Sequence, residues 1–260
     1  MKKNKMMRLA SAMMVMTLMT TSVISGTFAK YVTSDEATDV ARVAKWGVIV
    51  TATDSSVFST TYAGTGGDTV VSSNSDKLVA PGTKNEEGVT FSITGTPEVA
   101  CKVEIEVGGL NGSGELDTTL PVADVYLPVG TYKDMTTGDA TDEFTTTDGY
   151  YPVVYKLTRT YDNSGTPATE EVATGNLAQV MAAFKAKTAT YEPNEKLDTV
   201  CGTYKLTWAW AFEAGADEAA KKATDQKDTL LGSVAAGTAT APGASTDIAF
   251  GVKITVTQVD

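Results

Sequence analysis

The chain has no histidine among its 260 residues, and this removes most familiar routes to enzyme chemistry at once. Without imidazole there is no Ser-His-Asp or Cys-His nucleophile, no zinc helix with paired His ligands and no imidazole general base. A carboxylate pair of the kind glycosidases use remains open. With 32 Asp and Glu residues, abundance leaves no pair distinguished from any other. No phosphate-binding glycine loop ending in Gly-Lys-Ser or Gly-Lys-Thr occurs, and Gly64-Thr65-Gly66-Gly67 sits in a polar stretch rather than between a strand and a helix. The expectation is a protein that is not an enzyme and has no catalytic residue.

Three other groupings carry possible chemistry. Asp217, Glu218, Asp225 and Asp228 form an acidic cluster in which Asp225 and Asp228 are candidate ligands for Ca²⁺, a hard ion that prefers oxygen. The cluster lacks EF-hand spacing, and a solvated helix face is the alternative. Trp208 and Trp210 point to the same side of a strand, either as a sugar-stacking face or, the favoured reading, as core anchors. Cys101 and Cys201 are a candidate disulfide, which would stabilise the fold by about 4–5 kcal/mol through loop closure. Two buried free thiols are the alternative.

These residues need a scaffold, and alternating apolar residues point to strands. In Trp46–Ala52 the residues Trp46, Val48, Val50 and Ala52 alternate with Gly47, Ile49 and Thr51. Residues 54–77 are rich in Ser, Thr, Gly and Asp and read as a loop or frayed hairpin. Pro81-Gly82 turns the chain into a strand over Val89–Gly95, and Thr96-Pro97-Glu98 turns it again into Val99–Val107, with Cys101 facing the core. Further strands are expected at 122–129, 150–161, 204–212 and 248–259. Asp162-Asn163-Ser164-Gly165 marks a turn between paired strands. Leu177, Val180, Met181 and Phe184 at helical spacing predict a short amphipathic helix within 175–187, and 213–231 reads as a solvated helix. Many strands with one or two helical insertions indicate an all-β fold, an antiparallel β-sandwich, rather than a nucleotide-binding α/β fold.

The N-terminus supplies the compartment. Lys2, Lys3, Lys5 and Arg8 precede an uncharged stretch from Leu9 to Ala29, and Gly26-Thr27-Phe28-Ala29 sets small residues where a signal peptidase cuts between Ala29 and Lys30. Residues 1–29 are therefore expected to be a signal peptide, with membrane contact only while it is being removed. An uncleaved anchor is the alternative. Residues 30–45 read as an extended segment and 46–260 as one β domain. The expected location is outside the cell, in an extracellular matrix or on the cell surface. The net charge of −11 becomes more negative without the signal's four basic residues, so no nucleic-acid partner is expected.

Several segments together resemble one family. They are the signal end at Gly26–Ala29 with Thr33, Ser34 and Asp39, the run Ala41-Arg42-Val43-Ala44-Lys45-Trp46, and the Pro81-Gly82-Thr83 turn. Leu206-Thr207-Trp208-Ala209-Trp210-Ala211-Phe212 and Asp225-Gln226-Lys227-Asp228-Thr229-Leu230-Leu231-Gly232 complete the set. The chain is similar in these to the TasA and camelysin family of Gram-positive biofilm-matrix proteins. The resemblance implies a jelly-roll-like sandwich that polymerises with copies of itself into extracellular fibres, with other matrix or anchoring proteins as further partners. It implies donor-strand exchange by the freed N-terminus, with Tyr31, Val32, Val40 and Val43 as the apolar anchors. Cleavage after Ala29 would then switch a stored monomer to a fibre subunit. A surface metalloprotease, as camelysin has been described, and a monomeric adhesin are the rival implications.

Overall fold

The computed structural model describes residues 42–53, 56–63, 69–137, 139 and 141–259. The expected signal peptide and cleavage pair Ala29 and Lys30, and the donor residues Tyr31, Val32 and Val40, lie outside the described residues, as does Gly64–Gly67. The chain divides into two compact units, Met1–Ala44 and Lys45–Asp260. In the first, Val43 is almost fully exposed.

The second unit runs β1 (Val48–Ala52), β2 (Thr61–Ala63), β3 (Thr69–Val71), β4 (Lys84–Gly95), β5 (Cys101–Leu110), β6 (Leu116–Asp117), β7 (Gly130–Lys133), β8 (Glu143–Thr146), β9 (Val153–Asn163) and β10 (Thr166–Gly175). Helix α1 (Leu177–Lys185), β11 (Ala189–Tyr191), α2 (Leu197–Val200), β12 (Gly202–Trp210), α3 (Glu218–Ala235) and β13 (Gly251–Gln258) follow. All recorded strand pairings are antiparallel, and the protein is mostly β. One sheet has the order β1-β4-β12-β9-β10, and a second has β11-β5-β13 with β6 also against β5.

Both sheets feed one core. Val89 and Ile93 of β4, Val153, Tyr155 and Leu157 of β9, and Tyr204, Leu206, Trp208 and Trp210 of β12 are buried in it with Cys101, Val103 and Ile105 of β5. Each set falls on alternate positions, as one buried face of a strand requires. Strands β4 and β5, adjacent in sequence, thus lie in different sheets. Helix α1 buries all four residues of its predicted stripe, Leu177, Val180, Met181 and Phe184, and starts at a capping box in which Asn176 and Gln179 bond each other's backbone N–H. The β9–β10 hairpin closes through Ser164 and Gly165, both at positive φ, the geometry of a two-residue turn that matches strand twist.

One expectation needs correction and two are sharpened. Segment 122–129 is not a strand: it makes only single bridges, Ala123 to Ala249, Tyr126 to Ser245 and Leu127 to Tyr150. Asp124 and the prolines at either end of the segment favour such broken pairing, although Val125 and Leu127 are buried. Segment 54–77 contains the β2–β3 hairpin, with Tyr62 buried and Val57, Phe58 and Val70 packed on the core. The strand expected at 46–52 forms over Val48–Ala52, as an edge that among the described residues pairs with β4 alone and leaves Ile49, Val50, Thr51 and Ala52 exposed.

Candidate functional site: an open apolar groove beside unpaired edges

Where β4 and β13 face each other, the two sheets leave a groove of about 710 Å³. Val89 and Phe91 reach it from β4, Phe250 and Val252 from β13 and the residue before it, and Phe58 and Leu78 from the segments flanking the β2–β3 hairpin. The lining is mostly apolar, and Lys77 and Asp247 are its charged members. Strand β13 has β5 on one side and, among the described residues, no strand on the other. An unpaired edge beside an apolar trough offers main-chain hydrogen bonds and side-chain pockets together, the two requirements of strand addition.

The hairpin beside the groove is pinned by Trp208. Its Nε1 donates to the Val57 carbonyl at 2.8 Å, and Asn85 Nδ2 donates to the same oxygen at 2.8 Å. Phe58 and Tyr62 pack on the Trp208 ring with centroids 5.5 and 5.6 Å away. Trp208 and Trp210 are both buried, so neither presents a face to a sugar.

Asp228, a candidate cation ligand, has both carboxylate oxygens engaged by protein donors. It is buried on α3 and accepts the Tyr150 hydroxyl at 2.6 Å and Trp210 Nε1 at 3.2 Å, so its oxygens face donors from the sheet. Burial lifts its carboxyl to about 6 despite those two bonds. Asp225 is exposed, while Asp217 caps the start of α3 by accepting Ala220 N–H at 2.8 Å. The acidic cluster is spread along the helix, and no group of three or more Cys, Asp or Glu placed to hold a metal occurs among the described residues.

Asp124 was not singled out by its sequence, yet it is the other organising carboxylate. It accepts Leu177 N–H at 2.9 Å, Val125 N–H at 2.9 Å and the Tyr155 hydroxyl at 3.3 Å. Burial again raises its pKa above the ordinary carboxylate value, against these bonds. The expected disulfide is also absent: Cys101 and Cys201 are free, buried thiols. Cys101 belongs to β5 of one sheet and Cys201 precedes β12 of the other, and burial pushes both thiols up.

No protein-family model matches the chain, no curated protein matches its sequence, and no solved structure matches its fold.

Proposed function

We propose that this chain is an exported structural protein of the TasA and camelysin type, which polymerises into extracellular fibres by lending its N-terminal segment to the next copy. In this reading the domain is a jelly-roll-like sandwich whose open seam receives the donor. The observation that carries it is the apolar groove between β4 and β13 next to the unpaired edge of β13. Residues 30–43 of a neighbouring copy supply Tyr31, Val32, Val40 and Val43 to that trough, while their main chain extends the β11-β5-β13 sheet. Both carboxylates with the most perturbed surroundings, Asp124 and Asp228, are engaged in holding helices to strands, which supports a structural rather than a catalytic role.

The test is to delete residues 30–43 from the exported chain and image the product by negative-stain electron microscopy, with N-terminal sequencing of the parent protein to fix the cut. Fibres from the parent and none from the deletion are expected. Unchanged fibres would sink the reading.

A further inference from the structure

Among the described residues the two larger sheets have four edge strands, β1, β10, β11 and β13, and two of them, β10 and β11, carry devices that discourage pairing. Strand β10 has Pro167, a register shift between Glu171 and Ala173, and two carboxylates, Glu170 and Glu171, in ion pairs with Arg159 and Lys156. Strand β13 is the edge beside the groove, and the charge of its Lys253 is met by Glu106 of β5. Strand β11 is only three residues long. Proline, bulges, charge and brevity are the means by which proteins keep edges from pairing.

Strand β1 has none of these. Its sequence, Val48-Ile49-Val50-Thr51-Ala52, is uncharged, and its register with β4 runs without a shift from Val48 opposite Gly95 to Ala52 opposite Phe91. Ile49 is 59% exposed and Val50 39%. Just past the strand, Thr53 N–H donates to the Thr90 carbonyl at 3.0 Å. Antiparallel ladders alternate, so the N–H and C=O groups of Val48, Val50 and Ala52 turn away from β4.

We propose that β1 is the edge at which a second copy of this chain docks, β1 against β1 in antiparallel fashion across a two-fold axis, with Val50 opposite Val50. Three observations favour a second copy over another occupant. The outward-facing groups of Val48, Val50 and Ala52 are self-complementary: with Val50 on the axis, Val48 meets Ala52 of the other strand and every outward group finds a partner. The strand holds no charge, so two copies that repel elsewhere through a net charge of −11 can approach there without opposing carboxylates. The side chains that meet are apolar or small, a pairing that favours antiparallel strands. The result is a sheet continuous through the axis, running β10-β9-β12-β4-β1 and back in reverse. Because a two-fold contact closes on itself, it gives pairs and not chains. It does not depend on strand donation into the groove.

The test uses the full chain, isolated as the expressing cell processes it, with Val50→Cys treated with a short bis-maleimide. Cys101 and Cys201 stay in place because both are buried. A covalent dimer is expected from Val50→Cys and none from Val129→Cys, a more exposed control away from β1. Sedimentation of the parent over a concentration series, before it assembles into fibres, should show a dimer. Ile49→Lys, on the exposed outer face and tolerable to the fold, should weaken that dimer about tenfold or more with an unchanged circular dichroism spectrum. Equal cross-linking of the two cysteine variants, or a dimer indifferent to Ile49→Lys, would overturn the proposal. So would a Val50→Cys chain that stays uncross-linked because its own N-terminal segment or another protein covers β1. Fibres without the β1 cross-link would leave strand donation standing, and the cross-link without fibres would leave it fallen.

Discussion

Tyr150 donates its phenolic hydrogen to Asp228 Oδ1 across 2.6 Å, tying the turn before β9 to the middle of α3. Trp210 Nε1 reaches the other oxygen from the end of β12 at 3.2 Å. One carboxylate thus joins a helix to the end of β12 and to the segment before β9, and Lys227 lies over the Tyr150 ring at 5.0 Å.

That carboxylate should make stability depend on pH in mild acid. Its folded pKa of about 6 lies above the unfolded value, so the folded state holds the proton more tightly. The stabilising contribution is full below about pH 4 and is lost as pH rises through about 6, amounting to about 3 kcal/mol at most. Asp124, also raised by burial, acts in the same direction. Urea denaturation at intervals between pH 4 and 7 should show decreasing stability, and Asp228→Asn should flatten that slope. A parent whose stability rises steadily with pH across this window would contradict the assignment.

Asp124 anchors the first turn of α1 to the bridging segment before β7. Asp124→Ala leaves the Leu177 N–H and the Tyr155 hydroxyl without their acceptor in a buried place. A loss of about 2–4 kcal/mol is expected by chemical denaturation, with amide exchange quickened first in α1.

Gly88 stands at the irregularity where β12 shifts register against β4, between Leu206 and Trp208. Its φ of +63° and the Leu206 carbonyl at the place a Cβ would occupy leave no room for a side chain, and Thr207 Cγ2 lies 2.9 Å from that place. Gly88→Ala should destabilise the fold by about 3 kcal/mol, seen as a lower urea midpoint, whereas Gly112→Ala, where nothing lies within 4 Å, should be close to neutral.

Trp208→Phe keeps an aromatic ring beneath Phe58 and Tyr62 but removes the donor to the Val57 carbonyl. Asn85 still reaches that oxygen, so the cost, about 1–3 kcal/mol, comes largely from the void left by the smaller ring. Faster amide exchange confined to residues 56–72 would mark the loosened hairpin.

Period-two alternation made β4, β5, β12 and β13 legible, because each turns one face to the core: buried residues recur at every second position in β12 and along Cys101, Val103 and Ile105 of β5, and Val252, Ile254 and Val256 of β13 pack on the core at the same spacing. Helix α1 was legible for the same reason at helical spacing. The β2–β3 region was legible only as a loop or frayed hairpin, since its burial rests on Phe58 and Tyr62 packing on a tryptophan about 150 residues away, which leaves no local pattern. Asp124 and Asp228 look like any other acidic residues in an acidic chain, and only the fold brings Tyr155, Tyr150 and Trp210 to them. The groove belongs to two strands far apart in sequence, so no spacing could announce it.

The central claim is that residues 30–43 of one copy fill the groove of the next. A photo-crosslinking amino acid placed at Val40 of the full chain, activated in assembled material and mapped by mass spectrometry, tests it most directly. The account predicts cross-links between different copies that fall on groove residues such as Phe91, Phe250 and Val252. Cross-links confined to one copy, or falling on surfaces away from the β4–β13 groove, would contradict it.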